Sequence, residues 1–107
     1  MFNKPSGFKI DKSYFENCPI GKEFIGRYKA FRPLNDYYIG VCEVESISEK
    51  LEDGTIIFGS IDFILRKKDI SFIEMFELGK ELKNKNLTLT FKGFSQKGYP
   101  VFFHKFD

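Results

Sequence analysis

Between Leu87 and Phe106 aromatic rings and cationic side chains alternate almost residue by residue. Phe91, Lys92 and Phe94 precede a Ser95-Gln96-Lys97-Gly98 turn, and Tyr99, Phe102, Phe103, His104, Lys105 and Phe106 follow it. Flat rings offer stacking surfaces and ammonium groups neutralise anions, so the mixture suits a ligand whose planar groups are joined by negative charge. In a strand, period 2 puts Leu87, Leu89 and Phe91 on one face and Thr88, Thr90, Lys92 and Phe94 on the other. Half of such a pattern is core. Phe91, Val101 and Phe103 are assigned to that half, which leaves Phe94, Tyr99, Phe102 and Phe106 as the rings open to a ligand.

Other chemistries find less in this chain. His104 is the single histidine, and no GxSxG nucleophile turn accompanies it. Gly21 to Gly26 reads GKEFIG, which lacks the GKS or GKT ending of a phosphate loop. The acidic residues lack the spacing of a metal loop. Cys18 and Cys42 have neither CxxC spacing nor a histidine partner pattern, and they are read as reduced thiols of a cytoplasmic protein. The expectation is a non-enzymatic chain with no catalytic residues, no metal and no cofactor.

With 107 residues, 42% of them apolar, and 14 Phe, the chain is long enough to bury one core without staples. Its apolar runs fall well short of the roughly 20 residues of a membrane helix, so no membrane partner is expected. Met1 to Ile10 has no apolar stretch of signal-peptide length. Net charge is +2, yet it is unevenly spread. Asp36 to Asp62 carries seven acids (Asp36, Glu43, Glu45, Glu49, Glu52, Asp53, Asp62) against Lys50 alone, while the other 80 residues hold 16 bases against 8 acids. Such segregation predicts one anionic and one cationic region.

The elements that must position these groups follow from periodicity and turn residues. Residues 1–21, with Pro5, Gly7, Pro19 and Gly21, read as an irregular lead-in. Within it, Asp11 is placed to cap a short helical turn that docks Tyr14 and Phe15 and stops at Pro19. Residues 22–107 form the single domain. A first strand over Lys22 to Arg32 sets Phe24, Gly26, Tyr28 and Ala30 against Ile25, Arg27, Lys29 and Phe31; the second set is taken as exposed, since cations avoid a core. Gly26 marks a bend or bulge. A second strand, Tyr37 to Ser48, has Tyr38, Gly40, Cys42 and Val44 on one face and Glu43 and Glu45 on the other. Asp53-Gly54 is the strongest hairpin signal. The third strand, Thr55 to Arg66, points Ile57, Gly59, Ile61, Phe63 and Leu65 inward and Phe58, Ser60 and Asp62 outward. From Asp69 to Asn84 the period becomes helical: Ser71 and Glu74 fit a capping box, and Phe72, Met75, Phe76, Gly79 and Leu82 form the inner face.

Three strands, a helix and two strands make a mainly β protein, and this order resembles the OB-fold, a five-stranded Greek-key barrel with its helix between the third and fourth strands. The resemblance covers residues 22 to 106 and rests on element order and lengths. It implies a ligand lying across the second and third strands, flanked by the Arg32 to Tyr37 and Phe94 to Tyr99 loops. The expected ligand is single-stranded DNA, or RNA, held without sequence preference. Its expected contacts are Arg27, Lys29, Phe31, Arg32, Tyr37 and Phe58 on the first three strands, and Lys92, Phe94, Lys97, Tyr99 and His104 on the last two. Such a protein would suit an accessory role in DNA replication, recombination or transfer; a phage or plasmid setting is an impression from composition. The outward carboxylates Glu43, Glu45 and Asp62 oppose this reading. They suggest instead a module that docks a basic protein partner, or an inhibitor that imitates nucleic-acid charge. An edge on the first or fifth strand would offer pairing to a second copy.

Overall fold

Extended runs rich in β-branched and aromatic residues, broken by Asn-Asp, Asp-Gly and Lys-Gly turns, pair here into one sheet. The computed structural model of the chain describes residues 7–107. Its strands are β1 (Gly7–Lys9), β2 (Glu23–Leu34), β3 (Tyr37–Lys50), β4 (Ile56–Lys67), β5 (Asn86–Phe94) and β6 (Pro100–Phe106), and one helix, α1 (Phe72–Leu82), lies between β4 and β5. The chain is thus mainly β with one helix. The six strands form an open mixed sheet in the order β1-β4-β3-β2-β5-β6, in which β1 runs parallel to β4 and all other neighbours are antiparallel.

The five-stranded barrel expected from element order does not close, and there is one strand more than expected. Part of the β4 edge is already occupied: Gly7, Phe8 and Lys9 pair with Phe58, Gly59 and Ser60, and the Ile10 amide donates to the Ser60 carbonyl at 2.9 Å. β6 comes close enough for the His104 ring to lie 5.1 Å from that of Phe63, but among the described residues β4 and β6 share no ladder. Among the described residues the outer strands of the sheet are β1 and β6, and the first long strand, β2, lies between β3 and β5.

The lead-in is more ordered than its composition suggested. Besides β1 it holds a 3-10 helix over Lys12–Asn17, capped by Asp11, whose carboxylate accepts from the Ser13 amide at 2.8 Å. That turn drives Phe15 into the core, where its ring lies 5.7, 5.6 and 5.2 Å from those of Phe24, Phe91 and Phe102. The part of the lead-in expectation that falls on residues 1–6 lies outside the described residues.

Three strand and helix faces differ from the alternation expected, each for a local reason. On β2 the register shifts between Tyr28 and Ala30 rather than at Gly26. Beyond this bulge the phase inverts: Ala30 and Arg32 turn outward and Phe31 turns in, 5.6 Å from the Tyr38 ring and 5.7 Å from Phe72. On β6 the pairs Phe91↔Phe102, Leu89↔His104 and Leu87↔Phe106 put Phe102 in the core and leave Val101 and Phe103 outside, since directly opposed residues share a face. On α1 the capping box forms as expected, with Ser71 Oγ accepting from the Glu74 amide at 3.1 Å. The helix seats on Met75 and Gly79, where any Cβ would come within 3.1 Å of the Phe31 ring. Phe72 and Phe76, expected inside, lie about 40° and about 80° round the helix from that line at 100° per residue, and they remain about half exposed.

If Phe15 is a core residue rather than part of a loose leader, Phe15→Ala should cost about 3–5 kcal/mol. A urea unfolding midpoint unchanged from the wild type would contradict that placement.

Candidate functional site

The expected ligand contacts fall into two groups, because β2 separates the two loops that were to flank the ligand. Thr90 pairs with Glu23 at the start of β2, and Tyr37 with Leu34 at its end. At about 3.3 Å per residue, the 12-residue strand can set its two ends up to about 36 Å apart, with the β5–β6 turn near its start and the β2–β3 turn at its end. Lys92, Phe94, Lys97 and Tyr99 belong to the first end and Arg32 and Tyr37 to the second, with Arg27 and Lys29 between them.

The group along β2 and β3 is largely engaged within the protein. Arg32 Nη2 donates to Asp62 Oδ2 at 2.9 Å, and Lys9 Nζ lies 3.2 Å from the same oxygen. Lys29 Nζ donates to Asn84 Oδ1 at 3.2 Å and stands 4.0 Å from Glu43 Oε1. Such partly exposed pairs contribute up to about 1 kcal/mol each. Their larger consequence is for the field over the sheet: the outward carboxylates of Glu43 and Asp62 each face a cation, which offsets part of the negative charge of this face. Phe31 is committed to the helix contact. Phe58 is half-buried opposite Gly7 and Ser48 on the edge that receives β1. His104 points inward and sits half-buried between the rings of Phe63 and Phe106.

The hairpin end is different in character. Ser95 through Tyr99 is held by three bonds: the Ser95 amide donates to the Tyr99 carbonyl at 2.8 Å, the Gly98 amide to the Ser95 carbonyl at 2.9 Å, and the Tyr99 amide to Ser95 Oγ at 3.2 Å. Gly98, with φ at 84°, turns the chain where a side chain would be strained. On this fixed turn Tyr99 stays 62% exposed, with Lys12 Nζ 6.0 Å from its ring centroid. Phe103 on the outward face of β6 is 66% exposed, and Lys92 Nζ lies 5.8 Å from its centroid. Phe94 keeps one face open while its other side meets Phe91 edge-on at 5.5 Å. Lysines 83, 85, 92, 97 and 105 are the charged residues between Glu81 and Asp107; no carboxylate interrupts them.

Sequence reasoning missed Phe103 and Lys12 as members of this group. Alternation alone cannot choose between the two consecutive phenylalanines Phe102 and Phe103, and Lys12 reaches the hairpin only through the docking of the lead-in.

Among the described residues no three His, Cys, Asp or Glu side chains converge in a way that could hold a metal. Both cysteines are free thiols, and burial, followed by the nearby Glu43 carboxylate, pushes the Cys42 thiol up to about 12. That suits a packing residue and not a nucleophile. No helix among the described residues is long and apolar enough to cross a membrane. Comparison with protein-family models, curated proteins and solved structures gives no match to this chain.

Burial lowers the pKa of His104 below its ordinary 6.5. As pH falls through 6.5 the unfolded chain takes up a proton that the folded chain resists, so stability falls on that side and is unaffected at higher pH. His104→Phe keeps a ring between Phe63 and Phe106 and cannot titrate. The urea midpoint of the wild type should therefore drop relative to this variant between pH 8 and pH 5, and a constant difference across that range would contradict the burial. Cys18 should react with a thiol reagent in the native protein, and Cys42 only after unfolding. Two equally fast thiols would show that the core around Cys42 is open.

Proposed function

We propose that this chain is a non-catalytic protein that binds single-stranded nucleic acid with little sequence preference, using the outer face and turn of the β5–β6 hairpin. The observation that carries the reading is the pairing of open rings with ammonium groups: Phe103 with Lys92 and Tyr99 with Lys12, each exposed by more than half and each within about 6 Å of its cation. Bases stack on such rings at about 1–3 kcal/mol each. Phosphates would meet Lys92, Lys97 and Lys105, with no carboxylate on the hairpin to repel them. A role beside replication, recombination or transfer is consistent with this chemistry.

The OB resemblance remains part of the proposal and lends it support. β2 to β6 keep the order of three strands, a helix and a hairpin, and a partly open Greek-key barrel accommodates the unpaired approach of β4 to β6. The site proposed here lies on the hairpin rather than across β3 and β4, where Lys9, Lys29 and Arg32 already face carboxylates. The alternative of a protein partner docked through Glu43, Glu45 and Asp62 is weakened by those same pairs.

Fluorescence anisotropy of a labelled oligothymidylate tests the reading. Affinity should fall with the logarithm of salt concentration with a slope near −2, as three phosphate contacts on a single strand require. Tyr99→Ala should weaken binding by about 1–3 kcal/mol without moving the unfolding midpoint. No binding at low salt, or full affinity in the variant, would overturn the proposal.

A further inference from the structure

The outer face of the sheet holds a shallow depression of about 150 Å³ lined by Ile25, Gly26, Arg27, Glu43, Glu45 and Asn86. It arises where strands part. The β2–β3 ladder ends at the pair Arg27↔Glu43, while β2 continues along β5 through Ile25↔Thr88 and Arg27↔Asn86. β3 instead leaves at the irregularity between Val44 and Ser48. Ile25 and Glu45, which an unbroken ladder would set side by side, therefore stand on opposite arms of a fork. Ile25 is 69% exposed, so its apolar side chain is open at the fork.

The lining offers both hydrogen-bond acceptors and donors. Two carboxylates can only accept hydrogen bonds, and the Asn86 amide both donates and accepts. Glu43 is already opposite Lys29 at 4.0 Å, which leaves Glu45 as the acceptor turned to the fork. Arg27 supplies a cation and Ile25 an apolar surface. The depression is continuous with the hairpin: Lys105 pairs with Thr88 and Thr88 with Ile25, so two inter-strand steps of about 4.8 Å separate the last hairpin lysine from the fork.

We propose that this fork is a nucleobase subsite selective for a base that carries an exocyclic amine, cytosine or adenine. The inference rests on the single-strand reading above and adds a preference at one position to it. Ile25 packs on the face of the base, Arg27 neutralises the adjoining phosphate, and Glu45 accepts from the amine with Asn86 beside it, the pairings that such edges make elsewhere with Glu and Asn. Thymine or uracil would present a carbonyl oxygen to the Glu45 carboxylate and be rejected.

Labelled oligodeoxycytidylate and oligothymidylate of equal length, both pyrimidine polymers, separate the possibilities by anisotropy at one salt concentration. The wild type should bind the cytosine polymer at least about fivefold more tightly. Glu45→Gln offers a donor as well as an acceptor, so it should raise thymine affinity and bring the ratio near one. Equal wild-type affinities would overturn the subsite while leaving the hairpin proposal standing. A ratio unchanged in Glu45→Gln would overturn the role of that residue. Absence of binding to either polymer would overturn both proposals together.

Discussion

The register of β5 against β6 is the constraint on which the proposed interface depends. With Phe91 opposite Phe102 and Leu89 opposite His104, one ring of the Phe102-Phe103 pair is sent to the core and the other to solvent. A slip of one residue would exchange them. The inward ring does not stand alone: Phe102 meets Phe15 at 5.2 Å and Phe91 at 5.7 Å, so the 3-10 turn of the N-terminal segment helps hold the register. Core packing at one end of the protein thereby determines which aromatic surface is presented outside, and Phe103 is exposed because Phe102 is not.

Charge is arranged around the same division. The sheet's outer face over β3 and β4 has its carboxylates at Glu43 and Asp62 matched by Lys29, Arg32 and Lys9. The hairpin has lysines and no acids. A polyanion approaching this molecule meets paired carboxylates over β3 and β4 and lysines without acids on the hairpin, at a net charge of only +2. Directional attraction of this kind needs no large overall charge.

Much of this architecture can be read in the sequence where a single residue type decides the outcome. Strict alternation places the inward faces of β3 and β4 from Tyr38 to Val44 and from Ile57 to Leu65, and Ser71 with Glu74 announces the helix start. Alternation fails where the decision is not local. It cannot anticipate the bulge after Tyr28, because the extra residue is selected by β2 leaving β5 for β3, and so Phe31 is placed on the wrong face. It cannot choose between Phe102 and Phe103, since either phase buries one ring. It cannot see that β1 takes part of the edge of β4, because a three-residue strand has no period of its own. Nor does alternation show that Lys29 and Arg32, expected as ligand contacts, lie across from Glu43 and Asp62.

Ultraviolet cross-linking of a thymidine oligonucleotide to the native protein, followed by mapping of the modified tryptic peptides, reports directly which rings touch bases. Adducts should concentrate in residues 98–105, the peptide that carries Tyr99 and Phe103. Adducts confined to the peptides holding Tyr37 or Phe58, with residues 98–105 unmodified, would contradict the assignment of the interface to the hairpin.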